Sequence, residues 1–333
     1  MSDLFVGERT VRSTSLTPAP TKRSERRVLR LGTLLRTCTH SGRIRRPNDS
    51  SALRHLRVQL RPMERPHAWH GIAYNQATAS DNRIHADDVA RQYGFRGGLV
   101  PGVTVYAYLV QPAVEAWGLD FLSRGAASVR LERPLYDGGA FTVAVEPAGA
   151  AAYRGEVRDE GGTVCARGDV SLPDEAGVAP SRRGDAPAPR GEARPDATRA
   201  ALERLRDAGM GALALEWRAS GEMERTTRDL DTMPDLVRPD RAGWANPAFT
   251  LGCANWVLAQ NVRLGPWIHV QSEVRHFAAV PRGSGLVIES RVVDLFERGG
   301  HEFVDLDVAI FLAPDTPALA TRHRAIYRLR PPA

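Results

Sequence analysis

The chain has 333 residues, 42% of them hydrophobic and 25% charged, which is typical of a globular protein of about two domains and excludes wholesale disorder. No run approaches the roughly 20 apolar residues that a membrane-spanning helix needs. Cys38, Cys165 and Cys253 are odd in number and far apart, which excludes a disulfide scaffold or a cysteine-built zinc site. We therefore expect a cytoplasmic protein that binds no metal and no membrane.

The basic residues are unevenly distributed along the chain. Residues 1–62 carry a net charge of +10, whereas the whole chain carries +6, so residues 63–333 carry −4. Residues 1–62 also lack helical or strand periodicity, and we interpret them as a basic disordered extension; a targeting peptide and a nucleic-acid-binding arm are alternatives. Lys22 is the single lysine, so the folded part has no lysine for a Schiff base or a phosphate loop. We expect no nucleic-acid partner.

The rest of the chain predicts two similar domains. Residues 173–198 contain five prolines and three glycines and predict a flexible linker between residues 63–172 and residues 199–333. At an offset of 145 positions, Val129-Arg130 falls on Val274-Arg275, and the apolar segment Pro101–Trp117 overlaps Asn246–Gln260. One offset that holds over two kinds of element predicts an internal duplication.

Each domain is predicted to contain one buried helix and several strands. Pro101-Gly102 begins a helix that is apolar on all sides, is kinked by Pro112 and ends at Gly118. Strands are expected at 127–133, 140–146, 151–158 and 163–171. In the second domain, residues 304–310 alternate between apolar and mostly polar side chains, as in a strand with one solvent-exposed face. This pattern predicts an α+β fold in which an antiparallel sheet wraps round each helix.

One segment, Ser80–Gly102, carries the residues for chemistry. It resembles the MaoC-like, or hydratase 2, family of hotdog-fold proteins, which act on acyl thioesters. The matching positions are Asn82, His85, Asp87, Ala90, Gly94, Phe95 and Gly102. The resemblance implies a tandem (double) hotdog, a substrate linked to coenzyme A or to an acyl-carrier protein, no cofactor, and a monomer or homodimer.

The segment departs from the family's Gly-Asp, which here is Ala79-Ser80, and from its Pro, which here is Arg83. The family has a catalytic aspartate five residues before the histidine, where this chain has Ser80, and the nearest carboxylate is Asp81, four residues before His85. We expect His85 to act as the base toward water, since imidazole titrates near neutrality. If the loop shifts so that Asp81 replaces the family's aspartate, we expect Asp81 to hold this water and return the proton.

The remaining predicted site residues would bind the substrate. The N–H groups of Gly102 and Val103 are expected to bind the thioester oxygen at the helix start, with Asn82 and Ser80 beside it. Gly102 is also expected to leave room for the substrate against the backbone. At the offset of 145, Leu230 takes the position of His85, so we expect one site, in the first domain.

Three functions remain open at this point. The first is reversible hydration of a 2-enoyl thioester by an enoyl-CoA hydratase or dehydratase, which is a lyase. The second is a thioesterase on the same fold, with water directed at the carbonyl carbon. The third is a catalytically silent acyl-thioester-binding protein, which the missing aspartate at Ser80 favours.

Overall fold

The computed structural model describes residues 64–175, 177–218, 224–241 and 243–331, and the extension predicted for residues 1–62 lies outside them. The helices of this part are α1 (Asp87–Gln92), α2 (Gly102–Arg124), α3 (Arg199–Ala208) and α4 (Pro247–Asn261). The strands are β1 (Trp69–Ile72), β2 (Ala126–Leu131), β3 (Ala140–Gly149), β4 (Ala152–Asp159), β5 (Val164–Ser171), β6 (Leu213–Glu216), β7 (Ile268–His276), β8 (Gly285–Arg298), β9 (His301–Leu312) and β10 (Thr316–Arg328). Within this part, no helix is long and apolar enough to cross a bilayer.

All ten of these strands form one antiparallel sheet with internal symmetry. Their order is β1-β3-β4-β5-β2-β7-β10-β9-β8-β6, so a first half (residues 64–172) and a second half (residues 199–331) meet at β2 and β7. At this junction Ser128 pairs with Glu273, which lies 145 positions later. Ala126 pairs with Arg275 and Arg130 with Gln271, so the register is symmetrical about the central pair and agrees with the predicted duplication.

The two long apolar helices fill the inside of this sheet. α2 begins after Pro101 and α4 after Asn246, again 145 positions apart. α2 packs against β4 and β5, α4 packs against β8 and β10, and the helices also contact each other. Large side chains on both helices are fully buried, such as Tyr106 and Leu258. The fold is a double hotdog, and the predicted α+β class is confirmed.

The predicted end of α2 is wrong. The backbone leaves helical geometry at Gly118, with φ 53° and ψ −128°, but the helix resumes and continues to Arg124. Glycine suits this position because a positive φ is costly for other residues. Pro112 lies inside the helix without interrupting its geometry. The helix therefore bends at the glycine and not at the proline.

Residues 173–198, predicted to be a flexible linker, pack against the second half. Glu289 is buried on β8 and accepts hydrogen bonds from Arg182 Nε (2.9 Å), Arg183 N (2.7 Å) and Gly184 N (2.9 Å). Pro187 forms an isolated bridge with Ala212. The division of the chain at this segment stays a prediction, since one sheet runs through both halves.

Candidate active site

His85 is held in one tautomer by the backbone. It ends a short 3₁₀ helix (Arg83–His85), and its Nδ1 lies 2.7 Å from Leu99 O. Because a carbonyl only accepts, Nδ1 carries the proton and Nε2 carries the lone pair. Burial lowers the pKa of His85 to about 4, although the bond to Leu99 opposes this shift. The ring is therefore neutral at pH 7 and presents a base nitrogen.

The motif glycines and carboxylates keep this loop compact. A Cβ on Gly98 would lie 2.1 Å from His85 O, so only glycine fits there. Gly98 N donates to Asp87 Oδ1 at 2.8 Å, and Asn75 Nδ2 donates to His85 O at 2.9 Å. Asp87 therefore fixes the loop that returns toward α2.

Asn82 joins this loop to the second half. Its Oδ1 accepts from Trp267 N at 3.2 Å, and its Nδ2 donates to Trp267 O at 3.0 Å. The same Nδ2 lies 3.3 Å from His85 Nε2, which is beyond the usual range for a strong hydrogen bond. Asn82 was expected to bind substrate; the structure uses it to position His85 against the segment that enters β7.

The structure does not bring Asp81 to His85. The Asp81 side chain is exposed, and within the described ranges no hydrogen bond or ion pair links its carboxylate to the ring, whose nitrogens contact Leu99 and Asn82. Ser80 Oγ donates to Asn82 O at 3.3 Å and so closes the turn before the 3₁₀ helix. The expectation that Asp81 holds water beside His85 finds no contact in this arrangement.

The first turn of α2 leaves two backbone donors unpaired. Pro101 precedes the helix and provides no capping side chain, whereas the N–H groups of Thr104 and Val105 both donate to Pro101 O. In the part of the chain that the structure describes, the N–H groups of Gly102 and Val103 have no acceptor. A helix start of this kind carries positive potential and attracts an anionic oxygen. Leu99, whose carbonyl contacts the His85 ring, lies three residues before Gly102, so the ring and these donors belong to the same loop and helix start.

In the second half, the first two residues of the equivalent helix leave no N–H group without an acceptor. Pro247 has no N–H, and Ala248 N donates to the Asn246 side chain at 2.9 Å. Asn246 N itself donates to the buried Glu224 carboxylate at 3.2 Å. Pro247 and Ala248 are the equivalents of Gly102 and Val103 at the offset of 145. Free donors at the helix start therefore occur in the first half and not in the second.

The equivalent of His85 differs from the one that the sequence predicts. The second half has a matching 3₁₀ helix (Leu230–Thr232) that is capped by the Asp229 side chain, as Asn82 caps the first. Matching the two caps places Thr232 opposite His85, so the prediction of Leu230 is wrong by two residues because the loops differ in length. Neither residue is an imidazole, and the second half has no counterpart of His85.

Gly102 has no side chain, and side chains of other residues occupy the space that a Cβ would take. A Cβ there would lie 2.4 Å from Leu131 Cδ1 and 2.7 Å from His269 Nδ1. The expectation that this space admits a substrate is therefore wrong, because the Leu131 and His269 side chains fill it. Substrate access to the helix start must come from another side of the backbone.

Sequence reasoning missed two buried polar side chains at this turn. Gln76 donates to Thr104 Oγ1 at 2.5 Å, while its own Oε1 has no partner. His269 belongs to β7 of the second half and is buried, and its Nδ1 is also unpaired. The only signal in the sequence was a polar residue near the start of a strand, which is not specific.

A cavity of about 370 Å³ lies elsewhere, at the edge formed by β1 and β3, and neither His85 nor Gly102 lines it.

Comparisons with known proteins agree with the fold. No family model and no curated protein matches the chain. Similar solved structures include the double-hotdog protein Rv0216 of Mycobacterium tuberculosis, with 15% identity, a TM-score of 0.48, and coverage of 79% of this chain and 96% of that one. The PpsC dehydratase domain of the same organism, solved in complex with C12:1-CoA, has 13% identity, a TM-score of 0.46, and coverage of 79% and 93%. The tesB protein of Mycobacterium avium subsp. paratuberculosis has 10% identity, a TM-score of 0.43, and coverage of 79% and 94%.

The likeness is one of fold. It includes proteins described as dehydratases and as thioesterases, so it does not choose between these activities. The assignment of the double hotdog rests on the mirrored strand order and the two central helices. The choice of function therefore depends on His85 and on the N–H groups at the start of α2.

Proposed function

We propose that this protein is an acyl-thioester hydratase or dehydratase. The reaction adds water across C2=C3 of a 2-enoyl thioester, or removes it from the 3-hydroxyacyl thioester. One observation carries this proposal: a neutral imidazole, whose Nε2 has only a 3.3 Å contact with Asn82 Nδ2, lies in the loop that leads into α2, where the N–H groups of Gly102 and Val103 have no acceptor among the described residues. The duplicated turn in the second half has neither feature. These are the groups that the reaction needs, a base for water and donors for an enolate.

The helix start would bind the thioester oxygen. During hydration, the C2=C3 electrons move toward the thioester and leave negative charge on its oxygen. Among the described residues, the N–H groups of Gly102 and Val103 have no acceptor, so no hydrogen bond within this part of the protein has to break to receive this charge. Removing one such donor from an enzyme typically lowers kcat by about 10²–10³-fold.

His85 would move the proton. As the water oxygen attacks C3, Nε2 takes one water proton in place of its long contact with Asn82. The imidazolium that forms then gives this proton to C2, and the product contains both parts of the water molecule. Because no carboxylate of the described residues is bonded to His85, one ring would perform both transfers. The pKa of about 4 makes the imidazolium a strong proton donor toward C2 and, for the same reason, makes Nε2 a weak base toward water.

A catalytically silent acyl-thioester binder is the second candidate. The exposed position of Asp81 favours it, because the ring then lacks a charged partner that would stabilise its protonated form. Such a protein would still use Gly102 and Val103 to bind the thioester oxygen. The two candidates therefore differ in turnover and not in the binding site.

An absorbance assay with the whole chain separates these functions. Crotonyl-CoA should lose its enoyl absorbance in the presence of the wild-type protein. In His85→Asn, the new amide keeps a donor for Leu99 O but removes Nε2, and kcat should fall by about 10²–10⁴-fold. His70→Asn is the control, since His70 is exposed on β1, and its activity should be unchanged.

Each other outcome contradicts the hydratase in a different way. A loss of tenfold or less in His85→Asn shows that the ring is not the base. Release of free thiol from butyryl-CoA without loss of the enoyl signal identifies a thioesterase. Binding of butyryl-CoA without either reaction identifies the silent binder.

A further inference from the structure

The backbone carbonyl of His85 is held by a side chain from another loop. Asn75 is buried, and its Nδ2 donates to His85 O at 2.9 Å. In the described ranges no backbone N–H group donates to this oxygen, so Asn75 supplies its hydrogen bond. Leu99 O accepts from the ring at Nδ1. His85 is therefore anchored at two points, at its ring and at its backbone, and the two anchors together set the position of Nε2.

Asn75 is itself held by a carboxylate that the second half fixes. Asn75 N donates to Asp137 Oδ1 at 3.0 Å, and the guanidinium of Arg228 forms an ion pair with Asp137 Oδ2. Because each oxygen has its own donor, the carboxylate cannot rotate without breaking a hydrogen bond, and the one to Arg228 is charge-assisted. We call these three residues, Arg228, Asp137 and Asn75, the Arg228 network. It leads by direct contacts from the second half to His85.

Arg228 is well placed to hold this carboxylate. Its backbone N donates to Ile72 O at 3.0 Å, next to the end of β1. Its guanidinium lies over the Tyr74 ring, 5.3 Å from the ring centroid, which is within the range of a cation–π contact. The backbone and the side chain of Arg228 are thus both fixed, so its ion pair with Asp137 has one geometry.

We propose that Arg228, acting through Asp137 and Asn75, is a positioning residue for His85. This inference rests on the proposed hydratase function, and it gives the second half a part in a site whose reacting groups lie in the first. Arg228 touches no reacting atom in this assignment. It keeps the His85 backbone in place, so that Nε2 meets the water and C2 in a productive geometry. A displacement of about 1 Å at a reacting group can lower the rate by about 10²-fold.

The charge at position 228 tests this assignment. Arg228→Gln removes the cation from Asp137, and kcat for crotonyl-CoA should fall by about tenfold or more. KM should be unchanged, because the N–H groups of Gly102 and Val103 stay where they are. Arg228→Lys keeps a cation beside Asp137 and should restore most of kcat. A loss that appears in KM and not in kcat would overturn the assignment.

Arg291→Gln is the matched control. Arg291 is also an exposed arginine, and it pairs with Asp307 at 2.6 Å between β8 and β9. Because surface ion pairs contribute little to stability, Arg228→Gln and Arg291→Gln should both keep the urea midpoint of the wild type, while only Arg228→Gln loses activity. Equal activity in these two variants would overturn the assignment.

Asn75→Ala tests whether the members of the Arg228 network act through one another. On its own this substitution should lower kcat by about 10–10²-fold. The double variant with Arg228→Gln should lose no more than Asn75→Ala alone, because the second change then acts on contacts that are already broken. If the two losses multiply instead, the residues act separately and the assignment is wrong.

Proton NMR examines the network without an enzyme assay. The Nδ1–H proton of His85, bonded to Leu99 O at 2.7 Å, should give a downfield signal that is absent in His85→Asn. This signal should persist in Arg228→Lys and broaden through exchange with solvent in Arg228→Gln; the same line width in both contradicts the assignment. An inactive wild type that binds butyryl-CoA contradicts the hydratase itself, and the two failures are therefore distinct.

Discussion

Mild acid should unfold this protein, because four histidines are enclosed in neutral form. Burial lowers the pKa of His85 to about 4, that of His269 to about 3 and that of His276 to about 4, and it lowers that of His323 well below the ordinary value of 6.5. A histidine with a lowered folded pKa stabilises the fold above its unfolded pKa, and this contribution is lost as the pH falls toward the folded pKa. The loss should therefore begin near pH 6.5.

The size of the effect follows from the pKa values. Between pH 7 and pH 5, each of these histidines costs about 2 kcal/mol of unfolding free energy, or about 8 kcal/mol for four. Buried Glu224 acts in the opposite direction, because burial raises its pKa to about 7, and its protonation returns about 2 kcal/mol over the same range. The net loss of about 6 kcal/mol is comparable to the whole stability of a typical domain.

Urea unfolding at a series of pH values, followed by tryptophan fluorescence, measures this loss. The slope of stability against pH should approach four protons near pH 5, less the contribution of Glu224. His276→Gln should reduce the slope by about one proton, or about 1.4 kcal/mol per pH unit. The exposed variant His70→Gln should leave it unchanged. Equal stability at pH 7 and pH 5 would show that these rings are hydrated or paired, and would refute the reasoning.

Four further substitutions lie in or just before α2 and α4, and for the first three the stability is measured by urea unfolding. Gly102→Ala should cost about 1–3 kcal/mol, because its Cβ would lie 2.4 Å from Leu131 Cδ1, whereas Gly252→Ala in α4, whose nearest contact is 3.4 Å, should gain up to about 1 kcal/mol. Asn246→Ala should cost about 1 kcal/mol through the lost cap. Pro101→Asn copies the cap of α4 onto α2; it should lower kcat/KM for crotonyl-CoA at least about tenfold, and an unchanged value would contradict binding at this turn.

The sequence was sufficient for the architecture because the architecture repeats. The starts of α2 and α4 and the central pair Ser128–Glu273 all follow the same offset of 145. Strand alternation located β2 to β5 within about three residues at their ends. One signal is a local periodicity and the other is a comparison between two parts of the chain. Both can therefore be read from the sequence without knowing which distant residues are in contact.

The site was only partly predictable. The motif indicated His85 and the α2 start, whose roles stay predictions, but its spacing could not show that Asp81 is exposed, because one residue decides the direction of a side chain in a turn. His269 lies 184 positions from His85 in the printed sequence, and only the antiparallel junction of β2 and β7 brings it to Gly102. A contact between the two halves produces no periodic pattern in the sequence of either half, so sequence periodicity could not predict it.

The difference between the two helix starts argues for what the first one binds. In the second half the protein provides its own anionic group: the Glu224 carboxylate lies at the start of α4, where it accepts from Asn246 N and from Trp217 Nε1. Burial raises the pKa of this group, which is the cost of keeping a carboxyl group there. In the first half, the counterpart of Asn246 is Pro101, which has no N–H, and the Leu131 and His269 side chains lie beside Gly102. The N–H groups that correspond are those of Ala248 and Val103: Ala248 N donates to Asn246 Oδ1, whereas Val103 N has no acceptor among the described residues. This difference supports the proposal that the thioester oxygen binds at the start of α2.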